Sequence, residues 1–383
     1  MSDTNRVAVS VIGVDTLPNF QNDIVIASTP DLGSSPDTVV SDIIRSDRQV
    51  NDLVKVNEEV GGTIETEFVY GVFEGLLYRW ALQADSEEGE SILITNSSVS
   101  AGVSSLGATG IHTGVEIGDW VQFSEDQSGD NVTLHLVTNT FTDVLVVEPG
   151  PPTVDTFANA NVKLLGNRVN GTTPVEFTVE KHYEDIGVFE YLDGVYVDSQ
   201  TITAPSNGLI TNTWTFMGES HESRNSGRGG LTNLNIAASP PMNTSDNIAA
   251  LLINDAEVDG VVTEVSITIS NNARYRNVVG VLGAQSIGFG EFNVTGSMSI
   301  YFEDTTNLDR VLNNTEFSLA LALLDSADDP NAYVYELPRC KFSSGIPEVS
   351  GKNEDVMMTL EFQAMRDPTD GHTIKLHTSS GIA

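Results

Sequence analysis

From Thr63 to Tyr70 polar and apolar residues alternate. Ile64, Thr66, Phe68 and Tyr70 fall on one face, and Thr63, Glu65, Glu67 and Val69 on the other. That period of two predicts a half-buried strand. Directly after it, Val72, Phe73, Leu76, Leu77, Trp80 and Ala81 recur at i, i+3, i+4 spacing, which predicts a short amphipathic helix. With the apolar pair Ile43-Ile44 upstream, residues 43–82 read as an entering strand, a long polar loop, a second strand and a helix.

The same order recurs later. VTEVSITIS (262–270) reads as a strand and 271–290 as a long loop containing glycines. In the strand at 291–302, Phe292, Val294, Met298, Ile300 and Phe302 oppose Asn293, Thr295, Ser297, Ser299 and Tyr301. The helix at 303–314 then carries Leu308, Val311 and Leu312 on one stripe. Gly62-Thr63-Ile64 and Gly296-Ser297-Met298 occupy the same point in each copy. Either the core is duplicated with approximate two-fold symmetry, or two β-rich stretches resemble each other by chance.

Further strands are read at 174–183, 186–205, 208–218, 317–324, 332–337 and 356–364. The Gly/Ser/Asn-rich stretch 218–235 reads as a loop. The fold expected is mainly β: two packed antiparallel sheets, sandwich- or barrel-like, with a flanking short helix and a pseudo-duplicated core. Three parts are expected: an N-terminal arm at 1–42, a core at 43–91 and 171–383, and a small inserted β-domain at 92–170. The insertion is marked by short strands between Gly/Ser/Asn turns.

Charge narrows the function. The 383 residues hold 54 Asp and Glu against 18 Lys and Arg, a formal net charge of −36. This excludes wrapping nucleic acid through its phosphates and disfavours anionic membranes. A solvated surface or a salt-adapted host would also account for the acidity. Cys340 is the only cysteine, so an intrachain disulfide and a multi-cysteine zinc site are both excluded. The N-terminus lacks the basic and apolar regions of an export signal, and no apolar run is long enough for a membrane helix. Synthesis in a cytosol is expected.

Chemical motifs are missing from the sequence. There is no phosphate-binding G-x-x-x-x-G-K-[ST], no G-x-S-x-G and no H-E-x-x-H. The acidic clusters 124–130 and 325–329 lack the ligand spacing of a calcium loop. No catalytic residue, cofactor site or metal site is assigned, and no enzymatic activity is expected.

Several blocks together resemble the tail tube (major tail) proteins of long-tailed bacteriophages. They are I-I-R-S-D-R-Q (43–49), E-V-G-G-T-I-E-T-E-F (59–68), F-E-G-L-L (73–77), then P-V-E-F-T-V-E-K-H-Y, L-D-G-V-Y-V-D-S, N-T-W-T-F-M-G and F-N-V-T-G-S-M-S-I-Y-F. The resemblance implies a structural virion protein, made and assembled in the host bacterial cytoplasm. Six copies would join sheets edge to edge into a ring, and rings would stack into a tube. Its partners would be other copies of itself and the tape measure, tail terminator and distal tail proteins. DNA would pass through during ejection without specific binding. Six copies at −36 each would give a ring 216 net negative charges. On this reading Thr63, Glu65, Glu67, Thr295, Ser297 and Ser299 face the lumen. The long loops 45–60 and 271–290, through Arg45, Ser46, Asp47, Arg48, Val50, Leu53, Tyr275, Arg276, Val278 and Val279, touch neighbouring subunits. The alternative is a β-rich virion adhesin that binds a receptor or carbohydrate through 92–170.

Overall fold

A computed structural model of the chain describes residues 7–13, 23–25, 27–44, 46–47, 49–84, 91–95, 98–100, 105–107, 115–125, 133–141, 144–148, 155–156, 159–228, 240–258, 262–325, 331–349 and 351–379. It is mainly β, with two helices among the described residues: α1 (Val72–Leu82) and α2 (Thr306–Leu312). Eight strands form the frame. They are β1 (Ala27–Val40), β2 (Leu53–Glu67), β3 (Val188–Pro205), β4 (Thr211–Gly218), β5 (Val262–Ser270), β6 (Asn293–Tyr301), β7 (Ala332–Glu348) and β8 (Met357–Ala364). In space they run β1-β2-β4-β3-β5-β6-β8-β7, every neighbour antiparallel.

That order is one four-strand unit used twice, and the two uses agree residue by residue. Leu32, Gly62, Phe216 and Val197 form one cross-strand row. Ile267, Gly296, Phe362 and Phe342 form the corresponding row of the second unit. Moving along, Thr63 matches Ser297, Glu65 matches Ser299 and Trp214 matches Leu360. Even the bulges coincide. β1 skips a residue between Ala27 and Thr29, as β5 does between Val262 and Glu264. β3 skips one between Val197 and Ser199, as β7 does between Phe342 and Ser344. A bulge re-aims a strand at a fixed point, so two coincident bulges mark one backbone plan, and the core is duplicated.

One face of this sheet is the core. Ile64, Phe68, Trp214, Phe216, Ile267, Ile269, Met298, Leu360 and Phe362 are buried there together with Leu77, Tyr78, Trp80 and Ala81 of α1. Trp80 stacks on Phe177 with ring centroids 4.2 Å apart. The remaining stripe residues, Val72, Phe73 and Leu76, have side chains outside the described residues. Within the core the Tyr78 hydroxyl meets the hydroxyl of Tyr335 and lies 3.3 Å from both Gln200 Nε2 and Asn212 Nδ2. Because Tyr335 belongs to β7 and the amides to β3 and β4, this buried network fixes α1 against both units. The Asn271 amide donates to the carbonyls of Ala81 and Val197, each at 3.0 Å, and so closes the C-terminal end of the helix.

The strands between Ser91 and Leu164 form a separate eight-stranded sheet. Its Trp120, Leu134 and Leu136, with Leu165, pack on Ala250, Leu252, Ala320, Ala322, Ala332 and Val334. The run F-S-L-A-L-A-L-L explains how. Leu319, Leu321 and Leu323 point into the main core, and Ala320 and Ala322 point to this second contact. Leucine–alanine alternation is therefore a strand buried on both faces, with small residues where another layer approaches.

Several sequence expectations change. The strand entering the first unit is β1, not one beginning at Ile43; the described residues among 41–52 lie in the connection from β1 to β2. Of the expected loop 45–60, residues 53–60 belong to β2. The expected loop 271–290 holds a hairpin, Arg274–Asn277 with Ala284–Gly288. The expected loop 218–235 begins with a strand, Ser220–Arg224, paired with 189–193 of β3; residues 229–235 lie outside the described residues. The stretch read as an arm contributes Val7–Gly13, paired with Phe177–Tyr183, and the fourteen-residue β1. Pro30 and Pro36 argue against a central strand. An edge strand accepts them where the ring nitrogen faces away from its one partner.

Candidate functional site: a polar sheet face with open edges

Among the described residues, the face opposite the core carries no layer of large apolar side chains. Across β2, β4, β3, β5, β6 and β8 the register aligns Thr63–Thr215–Ser199–Ser270–Asn293 and Glu65–Thr213–Thr201–Thr268–Thr295–Gln363. A third row runs Glu67–Thr211–Thr203–Ser266–Ser297–Glu361. Threonine suits such rows because its branched carbon favours the strand while its hydroxyl bonds across to the next. Thr201 and Thr268 hydroxyls are 2.9 Å apart, and Ser344 donates to Glu361 at 2.9 Å. The hydroxyl residues in these rows are half-buried, whereas Glu65, Glu67, Glu264 and Glu361 are exposed.

The six residues expected to share a function, Thr63, Glu65, Glu67, Thr295, Ser297 and Ser299, thus lie on one face of one sheet, on β2 and β6, with β4, β3 and β5 between them. Sequence reasoning missed the intervening Thr211, Thr213, Thr215, Ser199, Thr201, Thr203, Ser266, Thr268 and Ser270. The signal was present in T-N-T-W-T-F and S-Q-T-I-T, where every second residue is a hydroxyl. Along the eight strands this face carries Asp31, Glu65, Glu67, Glu264, Glu348 and Glu361, against Arg339 and Lys341, which both reach Glu316, at 2.6 and 3.5 Å. The face is acidic and hydrogen-bonding, with no described cluster able to hold a metal ion.

At both ends the sheet is open. Among the described pairings β1 bonds only to β2, and the 342–348 half of β7 only to β8. Beyond Val60 the β1–β2 hairpin leaves the sheet and pairs only with itself. Gly61 and Gly62 allow this departure, with φ of 153° and 138°, a conformation side chains exclude. The free ribbon exposes Val39, Val40, Ile43, Ile44, Val50, Leu53, Val54 and Val56, with Ile44 98 % accessible. The neighbouring hairpin exposes Val278, Val279, Val281 and Leu282.

Of the residues expected to touch neighbours, Val50, Leu53, Val278 and Val279 are exposed apolar groups, and Ser46, Asp47 and Arg276 are exposed polar ones. Arg45 and Arg48 lie outside the described residues. Tyr275 is different: its hydroxyl donates to the Val60 carbonyl at 2.7 Å, so it braces its own ribbon. Burial, followed by Glu59 and Asp198, pushes its phenol up to about 12. Cys340 is buried, and burial pushes its thiol up to about 12, which makes it a core residue and not a nucleophile.

No helix among the described residues is long and apolar enough to cross a membrane. No curated protein matches the chain. The family model described as phage tail tube protein matches residues 4–364, which takes in both four-strand units and everything between them, and the chain belongs to that family of structural tail components.

Proposed function

We propose that the subunits assemble into rings that stack into a tube, and that the hydroxyl-rich acidic face lines its channel. The observation that carries this reading is the continuity of that face across eight strands with an open edge at each end. A sheet apolar on one side and polar on the other closes naturally around a wet lumen. The carboxylates spaced along it repel DNA phosphates over roughly 8 Å at physiological salt. The hydroxyls offer hydrogen bonds to water and no cation to a phosphate. DNA slides past such a wall during ejection without binding it. The chain acts as a structural subunit and not as an enzyme, within the virion tail, with the tape measure, terminator and distal tail proteins at the tube's contents and ends.

The ribbon tip (41–52) and the 274–288 hairpin provide the contacts to neighbouring subunits. The separate sheet formed by the strands between Ser91 and Leu164 is an inserted domain carried outside the channel wall, behind the core. Assembly occurs in the host cytoplasm.

Single cysteines test the orientation. Thr213→Cys and Ser297→Cys should react with a bulky maleimide as free subunits and be protected in assembled tubes. Glu116→Cys, in the exposed turn before Trp120, should react equally in both. Native Cys340 contributes no background because it is buried. Equal labelling of all three variants in tubes would place the polar face outside.

A further inference from the structure

We propose that the C-terminal segment 373–379 is a clasp holding the separate eight-stranded sheet on the main core, and that protonation of His377 opens it. The segment lies past residue 364, where the family match ends.

Its strand, Lys375–Thr378, is held between two others. On one side Lys375, Leu376, His377 and Thr378 pair with Glu336, Tyr335, Val334 and Tyr333 of β7. On the other they pair with Val169, Arg168, Asn167 and Gly166. The strand Gly166–Val169 follows directly on Asn159–Leu164, the last strand of the eight-stranded sheet. Among the described pairings it bonds to the C-terminal strand and to no other. The chain leaving the eight-stranded sheet thus enters the main ladder through residues 375–378.

The side chains of the clasp reach both layers. Ala332 and Val334 lie on the side of β7 that packs on Trp120, Leu134 and Leu136. Alternation sets Glu336 on that same side, and the pairing sets His377 beside it. His377 is 1 % exposed, and its ring centroid lies 6.5 Å from that of Trp120. Two positions along, Ser379 Oγ donates to Gln122 Oε1 of the eight-stranded sheet at 2.9 Å and accepts the Ala332 N–H at 2.7 Å. At the other end the Thr373 N–H donates to Asn170 Oδ1 at 2.8 Å. Gln122 and Ser379 are both buried, so losing their bond leaves polar groups without water.

The catch is the pair His377 and Glu336, with Nε2 and Oε2 2.6 Å apart. A neutral imidazole donates its Nε2–H to the carboxylate, and a second proton has to enter at Nδ1, in a closed site. Other charged groups surround the pair. Lys375, on the same strand, and Asp119, in the turn before Trp120, face His377. Asp119 is engaged by the Glu116 N–H at 2.7 Å. His372 and Asp255 face Glu336. Arg168, opposite Leu376, donates to the Gly75 carbonyl at 2.8 Å, and the buried His135 lies opposite Val121.

Burial, with Lys375, outweighs Glu336 and Asp119 and holds the His377 imidazole below its ordinary value. In the open clasp the ring meets water and returns to about 6.5. The open form then binds a proton more readily than the closed one. Clasp stability is fully present above about pH 6.5 and is lost as pH falls below it.

Ala322→Cys in the full-length chain reads the opening, because Ala322 is wholly buried in the contact between the layers. Its rate of reaction with 4,4′-dithiodipyridine, divided by that of Glu116→Cys at the same pH, cancels the ionisation of the thiol. The ratio should rise at least tenfold from about pH 8 to about pH 5.5. Adding His377→Gln, which keeps a donor for Glu336 and cannot titrate, should hold the ratio constant within about twofold. Adding Ser379→Ala instead should raise it at least threefold already at the higher pH. A ratio that stays flat with His377 present, or an equal rise in the glutamine variant, would overturn the acid catch. No change with Ser379→Ala would overturn the clasp. Native Cys340, read from its own peptide by mass spectrometry, should stay unlabelled throughout; labelling in step with position 322 would mean that the whole chain unfolds and no clasp opens. Hydrogen exchange of the unaltered chain needs no variant. Corrected for intrinsic rates, amides of 166–169 and 375–378 should lose protection in acid while those of 294–300 keep it, and unchanged protection of both groups would contradict the proposal.

Discussion

Replacing Ile43, Ile44 and Val50 by serine should leave folded subunits that no longer polymerise. These side chains sit at the tip of a two-stranded ribbon that pairs only with itself, and all three are exposed. An isolated ribbon is marginal in water, and a contiguous apolar surface of this kind marks a contact with another molecule. Burying each side chain stabilises a contact by about 1.5–3 kcal/mol. Losing three removes at least about 4 kcal/mol, close to a thousandfold in association at 1.4 kcal/mol per factor of ten. Sedimentation and negative-stain microscopy read the result, with circular dichroism confirming the fold. Tubes forming at the same concentration as the unaltered protein would show that the tip is not a contact.

The second large effect concerns two glycines that the sequence places at the same point of each unit. At Gly62 an added carbon would lie 1.9 Å from the Asp31 carbonyl oxygen. At Gly296 it would lie 2.3 Å from the Ser266 carbonyl oxygen and 2.3 Å from the Phe362 ring. In each case the obstacle includes the backbone of the neighbouring strand, which cannot yield without breaking the ladder. Gly62 also has φ of 138°. Alanine at either position should cost more than about 3 kcal/mol, the class of strained or overpacked substitutions. Gly33→Ala, facing open space, should cost less than about 0.5 kcal/mol. Urea midpoints compare the three. Near-equal midpoints would mean that the strands separate more readily than this packing implies.

Legibility followed the chemistry of each strand. β2 and β6 were readable because apolar residues alternate with polar ones on a half-buried sheet, and the glycine within each gave their equivalence. β1 was not, since A-S-T-P-D-L-G-S-S-P-D-T-V-V has two prolines and few apolar residues. It is held as a strand by its partner β2, a long-range fact that local composition does not carry. The polar face was half legible: Glu65 and Ser297 declared themselves, whereas Thr213 and Thr201 were overshadowed by Trp214 and Ile202 on the other side of the same strands. The stretch that forms the separate eight-stranded sheet was visible as a change in texture. Its docking was not, because alanines at 320 and 322 look like ordinary strand filler until another layer covers them. The duplication became certain only with the bulges, which are set by backbone pairing and leave no residue signature here.

The acidity takes on a more specific form as well. A net charge of −36 says nothing about place. Asp31, Glu65, Glu67, Glu264 and Glu361 put part of it on one face, separated by rows of hydroxyls.

The most direct test is a density map of assembled tubes at a resolution that separates strands. The expected result is a continuous wall of strands around a channel, with the Thr213, Thr201, Thr268 and Ser297 side chains pointing inward. A wall whose polar face points outward, or lies against a second protein layer, would contradict the account.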